Sequence, residues 1–132
     1  MNMLIGMLSA ALLSTAAPAI AQTALGPAET IAAAAKSGEV TGVFEFVVGS
    51  TGASGFNVYL NSAADYHDAG NLTIELHSAV INALKAKLGA YPQDALTGKR
   101  VRVKGVARRV PVGQHFQTRI AVDTIDQIEI LG

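Results

Sequence analysis

A basic segment from Thr97 to Val110, TGKRVRVKGVARRV, contains the side chains with the clearest capacity to bind an anion. It holds six of the chain's ten lysine and arginine residues and no acidic residue. In its first half, basic residues alternate with valines, which predicts a long β-strand with one half-buried face, interrupted at Gly105. The residues that we expect to contact phosphates or anionic sugars are Arg100, Arg102, Lys104, Arg108 and Arg109.

The same basic residues also have a structural interpretation, which the sequence leaves open. Alternation of charged and apolar residues is typical of a strand with one solvated face, and it protects a strand against aggregation. In that case the arginines pair with acids on neighbouring strands, and Glu45 and Asp123 are the candidate partners. The chain as a whole carries no net charge, so no global field attracts nucleic acid.

Patterns typical of catalysis or of metal binding are not found in the sequence. The histidines are far apart, and no nucleophile motif such as G-x-S-x-G occurs. The chain has no cysteine, which excludes disulfides and thiolate metal sites. Asp65, Asp68 and Asn71 lie in one oxygen-rich loop, but their spacing differs from that of an EF-hand and favours turns. We therefore predict that the protein is not an enzyme and binds no cofactor or metal.

Further segments have the periodicity of strands or helices. The other predicted strands are Val40–Val48, Phe56–Asn61, Leu72–His77 and Phe116–Val122. Gly49–Gly55 contains small residues only, which predicts a flexible loop between the first two strands. From Ser78 to Leu88 the apolar residues recur at helical spacing, and Gly89 suits the left-handed residue that ends a helix.

Three strands, one helix and two strands follow one another in the order of an OB-fold. Five strands in an open sheet leave unpaired edges, and closure into a small barrel removes them. We therefore predict a mainly β protein, a five-stranded OB-fold barrel with one α-helix between strands 3 and 4. This domain is expected to span residues 38–132, and residues 22–37 are expected to form a linker or a short N-terminal helix.

The first 21 residues have the pattern of a secretory signal peptide. An apolar run is followed by small residues, Ala19-Ile20-Ala21, at the expected cleavage site. The alternatives are a membrane anchor or a buried first helix, but the run is short for a span and Pro18 interrupts it. We expect a periplasmic or secreted protein with no membrane span after cleavage.

Several motifs together resemble those of a known group of domains. These motifs are VTGVFEF, VYLNSAADYHDAGNLTIEL, LTGKRVRVKGVARRV and IAVDTIDQIEIL. The combination resembles bacterial OB-fold domains similar to the single-strand-binding and tRNA-anticodon-binding types. The resemblance covers about Ser37 to Leu131 and implies a binding module.

An OB-fold binds its ligands along the second and third strands and the loops beside them. The resemblance therefore implies a site in which Tyr59 and His77 stack on bases or sugar rings and Asn57 and Asn61 form hydrogen bonds to them. His115, in the last hairpin, is expected to be a further contact. The predicted ligand is an anionic polymer, either single-stranded nucleic acid or an oligosaccharide. The alternative is a structural or protein-interaction domain of the cell envelope.

Overall fold

The computed structural model describes residues 23–132, and the predicted signal peptide lies outside them. The described part is mainly β-structure. Its strands are β1 (Glu39–Val47), β2 (Ser50–Ser54), β3 (Asn57–Asn61), β4 (Leu72–Leu76), β5 (Arg100–Val112), β6 (His115–Val122) and β7 (Ile128–Ile130). Its helices are α1 (Pro27–Ser37), α2 (Ser78–Leu88) and α3 (Pro92–Ala95), with a 3₁₀ turn at Ile125–Gln127.

The strands form one sheet in the order β1-β5-β6-β4-β3-β2, with β7 also paired to β5. Neighbouring strands are antiparallel except β4 and β6, which run parallel. Among the described residues the sheet contains seven strands, and its order does not close on itself. Neither the predicted number of five strands nor the predicted barrel closure is therefore confirmed.

The additional strands have a local physical cause. The first strand, predicted as Val40–Val48, ends at Val47, and the backbone N–H groups of Val48 and Gly49 bond to two different neighbours, the carbonyls of Lys99 (2.9 Å) and Asn61 (2.8 Å). The small residues that follow, predicted as a loop, form β2 by pairing with β3. The end of the chain forms β7 against β5. Backbone hydrogen bonds to a neighbouring strand therefore produce both additional strands.

The helix between β4 and β5 begins and ends at the predicted residues. In α2, the apolar face buries Val80, Ile81 and Leu84. Gly89 ends the helix in the left-handed conformation, with φ of 77°, and its N–H donates to the carbonyl of Lys85. A glycine adopts this conformation without the steric penalty of a Cβ atom. Of the described helices, none is long and apolar enough to span a membrane.

The residues before β1 form a helix rather than a linker. Pro27 occupies its first turn, where a missing N–H is tolerated, and Glu29 accepts a hydrogen bond from the N–H of Gly26 (2.7 Å). This helix, α1, buries Thr30 and Ala34.

The strands direct alternate side chains to the core and to the surface. On β3, Val58 and Leu60 are buried in the core, while Asn57 and Tyr59 lie on the opposite face of the strand. Strand β5 pairs with β1 along one edge, and on its other edge it pairs first with β7 and then, beyond Gly105, with β6. The surface that carries Tyr59 is thus continued by the outward residues of β4 and β6.

Candidate functional site

The first arginines of the basic strand are paired with an acid. Glu45 lies on β1 directly opposite Arg102 in the sheet register. Its two carboxylate oxygens lie 3.2 Å from Arg100 Nη1 and 2.9 Å from Arg102 Nη2. The two guanidinium groups therefore share one carboxylate within the sheet, in the manner of cross-strand charge pairs.

The remaining basic residues of this strand differ in whether an acid on a neighbouring strand pairs with them. Arg108 Nε lies 3.2 Å from Glu39 Oε1 on the neighbouring strand. Lys104 lines a shallow depression that also contains Asp126 and Glu129. Arg109 points elsewhere, with its guanidinium carbon 3.6 Å from the centre of the Phe116 ring. The basic strand therefore presents an interrupted set of charges and not a continuous cationic track.

A groove lies on the outer face of the sheet, beside the ring of Tyr59, and has a volume of about 330 Å³. We refer to it as the groove. It is lined by Thr51, Gly52, Ala53, Ser54, Tyr59, Asn61, Tyr66, Thr73, Val112, Gln117 and Arg119. Its walls are thus β2, the β3–β4 loop and the β5–β6 hairpin. Most of the polar side chains in this set are neutral hydrogen-bonding groups.

The floor of the groove is a fixed hydrogen-bond network. Asn61 and Thr73 are cross-strand partners on β3 and β4, and both are buried. The hydroxyl of Thr73 donates to Asn61 Oδ1 (2.8 Å) and accepts from Nδ2 of buried Asn71 (2.9 Å). Asn61 was predicted to reach the ligand, but its carbonyl oxygen is held by this network. Its side chain therefore shapes the groove from below.

Arg119 supplies the positive charge of the groove. Its Nε donates to Gln117 Oε1 (2.9 Å), which fixes the plane of the guanidinium. The guanidinium carbon lies 5.4 Å from the centre of the Tyr59 ring, and Nη1 lies 3.8 Å from Glu75 Oε2. Tyr59, Gln117 and Arg119 therefore offer a ring face, an amide and a positioned cation on one surface.

His77 lies at the end of this face, between two carboxylates. Its Nδ1 is 2.6 Å from Asp123 Oδ1, and its Nε2 is 3.2 Å from Glu75 Oε1. The hydrogen bond to Asp123 raises the pKa of His77, and Glu75 adds to this effect while desolvation opposes it. Glu75 Oε2 also accepts from Asn57 Nδ2 (3.3 Å). The predicted pairing of Asp123 with the basic strand is therefore wrong, because the carboxylate contacts this imidazole instead.

The predicted ligand-binding residues do not form one cluster. Tyr59 and Asn61 line the groove, whereas Asn57 and His77 lie next to it and contact Glu75. His115 is exposed at the start of β6 and lines a neighbouring cleft. The arginines paired with Glu45 and Glu39 are not among the residues that line the groove.

Tyr66, Gln117 and Arg119 line the groove but were not among the residues predicted from the sequence to bind a ligand. Gln117 and Arg119 carried a usable signal, because the alternation in Phe116–Val122 separates them from buried Thr118 and Ile120. Tyr66 lies in the β3–β4 loop, where no periodicity indicates the direction of a side chain.

The oxygen-rich loop uses its side chains to build turns. Asp65 Oδ1 accepts from the backbone N–H of His67 (2.9 Å), and Asp68 Oδ1 accepts from Gly70 N (2.8 Å). The hydrogen bond from the His67 backbone, with that of its ring, lowers the pKa of Asp65. Asn71 Oδ1 accepts from Ala63 N (3.0 Å). Within residues 23–132, no group of three or more histidine, aspartate or glutamate side chains is placed to hold a metal ion.

The groove therefore combines ring faces, neutral donors and acceptors, and one positioned guanidinium, which is suited to the recognition of sugars or bases. No protein-family model matches the chain, and no curated protein is significantly similar to it.

Proposed function

We propose that this protein is an exported OB-fold binding module whose groove binds an oligosaccharide that carries acidic groups. The observation that carries the proposal is the composition of the groove. Neutral hydrogen-bonding side chains surround the ring of Tyr59 and the guanidinium of Arg119. Sugar hydroxyls require many such neutral partners, and a ring face packs against the apolar side of a pyranose. One guanidinium recognises one carboxylate or phosphate.

The OB-fold interpretation rests on how the two ends of the sheet are connected. Strands β1 and β2 lie at opposite ends of the strand order, but only Val48 and Gly49 separate them in the chain. If they are counted as one interrupted strand, the six strands of the main order become a five-stranded barrel, with β7 as an addition beside β5. The parallel pairing of β4 with β6 and the position of α2 before β5 fit this interpretation. The groove then lies on the face that OB-folds use for ligands.

The distribution of charge favours an oligosaccharide over single-stranded nucleic acid. Proteins that bind single strands combine several aromatic platforms with a positively charged channel along the backbone. Here Arg100, Arg102 and Arg108 are paired with glutamates, and Glu75 stands beside Arg119. A phosphate backbone would meet few unpaired cations and one nearby carboxylate. An acidic oligosaccharide also presents hydroxyl groups, for which the neutral side chains that line the groove provide hydrogen-bond partners.

A structural or protein-interaction domain of the cell envelope is the second candidate. The observation that favours it is the pairing of Glu45 with two arginines, since these charges then serve strand pairing. This role is compatible with the proposal, because it leaves the groove free to bind a ligand.

Isothermal titration calorimetry tests the proposal with three probes of equal length: tetragalacturonate, a neutral galactose tetrasaccharide and a thymidine tetranucleotide. We expect the acidic tetrasaccharide to bind most tightly. Tyr59→Ala and Arg119→Gln should each weaken its binding about tenfold, which corresponds to the loss of one charge-assisted hydrogen bond or one ring contact. Arg100→Gln is the matched control, because Arg100 is held by Glu45 outside the groove.

Three results would overturn the proposal. The first is the absence of binding to tetragalacturonate, and the second is binding that both groove variants leave unchanged. The third is tighter binding of the tetranucleotide with loss of affinity in Arg100→Gln, which would identify the basic strand as a nucleic-acid surface.

A further inference from the structure

A second cleft adjoins the groove, between α1, the β3–β4 loop and the β5–β6 hairpin. It has a volume of about 630 Å³, and Tyr66, Val112 and Gln117 line both it and the groove. We refer to it as the cleft. Ile31 and Ala35 of α1 form its apolar wall. The groove and the cleft are therefore neighbouring depressions that one extended ligand could occupy together.

Two aromatic side chains of the cleft are exposed although apolar surface is normally buried. Phe116 is 55% exposed and Tyr66 is 50% exposed. Each ring is held in place by a polar neighbour. Phe116 packs against the Arg109 guanidinium, and the ring centre of Tyr66 lies 3.9 Å from that of His67. Exposed rings in fixed positions are the features of a binding surface that needs little ordering when a ligand arrives.

The loop that carries Tyr66 is itself fixed by hydrogen bonds. His67 Nδ1 lies 2.8 Å from Asp65 Oδ1, which holds the imidazole behind the Tyr66 ring. Buried Asn71 bonds to Ala63 N at the start of the loop and to Thr73 at its end. The wall of the cleft is thus anchored to the floor of the groove.

Arg109 differs from the other arginines of its strand. Within residues 23–132 it forms no salt bridge, whereas Arg100, Arg102 and Arg108 each contact a glutamate. A guanidinium that stacks on a ring keeps its N–H donors in the plane of the group, where they can bind a carboxylate. Asp68 also lines the cleft, but its Oδ1 accepts a hydrogen bond from Gly70 N. The cleft therefore offers a cation beside two ring faces.

We propose that the cleft binds a second acidic sugar of the same oligosaccharide, with the sugar ring against Phe116 and Tyr66 and its carboxylate on Arg109. This inference rests on the proposed function of the groove and specifies its ligand. The ligand contains acidic sugars at two positions, one bound by Arg119 in the groove and one bound by Arg109 in the cleft. Affinity then increases with chain length until both positions are occupied.

Calorimetry with galacturonate, digalacturonate and tetragalacturonate tests this inference. Arg109→Gln and Phe116→Ala should each weaken tetragalacturonate binding about tenfold. Both side chains are exposed, so these variants are expected to fold. Arg108→Gln is the matched control, because Arg108 is the preceding residue and pairs with Glu39; its affinity should stay within about twofold of the native value.

Amide chemical shifts separate this inference from the proposal for the groove. With tetragalacturonate we expect shifts both at Gly52 and Tyr59, in the groove, and at Ala69 and Phe116, in the cleft. Shifts confined to the groove, with native affinity in Arg109→Gln and Phe116→Ala, would overturn the inference and leave the proposed function standing. Shifts confined to the cleft would overturn both, as would the absence of binding.

Discussion

The hydrogen-bond network under the groove predicts a large effect from a small substitution, Thr73→Val. The change removes a hydroxyl that donates to Asn61 Oδ1 and accepts from Asn71 Nδ2. Asn71 Nδ2 keeps a longer contact, 3.4 Å, with the carbonyl of Tyr66. Asn61 Oδ1 loses the hydroxyl donor. A buried acceptor left without a donor costs about 1–3 kcal/mol, and the weakened amide donor adds about 1 kcal/mol. We therefore expect the free energy of unfolding to fall by about 2–4 kcal/mol.

Urea unfolding followed by circular dichroism measures this effect, provided that the slope of the free energy against urea is unchanged. Thr41→Val is the matched control, because Thr41 is exposed on β1 and its replacement should change stability by less than about 0.5 kcal/mol. The double variant Asn61→Leu/Thr73→Val removes the acceptor together with its donor, so it should recover part of the loss. A Thr73→Val protein as stable as the control would refute the reasoning.

Two further predictions concern the strand interruption and His77. Gly49→Ala would place its Cβ 2.6 Å from Ser62 O, a backbone atom, so it should destabilise the protein by about 1–3 kcal/mol in thermal unfolding. Gly52→Ala is the control, because a Cβ atom at Gly52 has no other atom within 4 Å. Equal losses of stability in both variants would contradict the close approach at Gly49. Because the pKa of His77 is raised in the folded protein, its stabilising contribution should be complete below the unfolded value of 6.5 and be lost as the pH rises through the folded value. Urea unfolding from about pH 5 to about pH 9 measures the stability difference between the native protein and His77→Gln, and this difference should become smaller as the pH rises. A difference that stays constant or increases with pH would refute the assignment.

Local periodicity was sufficient to predict several elements. The β4 prediction, Leu72–His77, is one residue longer than the observed Leu72–Leu76, and α2 spans the predicted Ser78–Leu88. In α2 the buried residues recur at the helical period, and in β4 Leu72, Ile74 and Leu76 alternate into the core, although Thr73 on the other face is also buried. Such elements are determined by residues close together in sequence.

Elements and contacts that depend on pairing with another segment were not predictable in this way. The segment Ser50–Ser54 contains only one residue type that favours strands, Thr51, and it forms β2 by pairing with the free edge of β3. The partner of Asp123 is His77, 46 residues away, and alternation alone does not choose between acids and histidines. Asn61 was assigned to the correct face of β3, but it is buried and linked through Thr73 to Asn71 of the β3–β4 loop. The shape of the site therefore depends on a loop whose course the sequence pattern does not describe.

The arginines paired with Glu45 and the arginine that stacks on Phe116 differ in the contacts that an anionic ligand would have to displace. A polyanion on the basic strand must compete with Glu45 for Arg100 and Arg102, and the released carboxylate would then repel it. Arg109 stacks on an exposed ring, and a carboxylate can bind the edge of its guanidinium without breaking that contact. An anion at Arg109, in the β5–β6 hairpin, therefore has to break fewer existing contacts than an anion at Arg100 and Arg102. The number of arginines in a strand is a poor guide to where an anion binds, and the pairing of each one decides it.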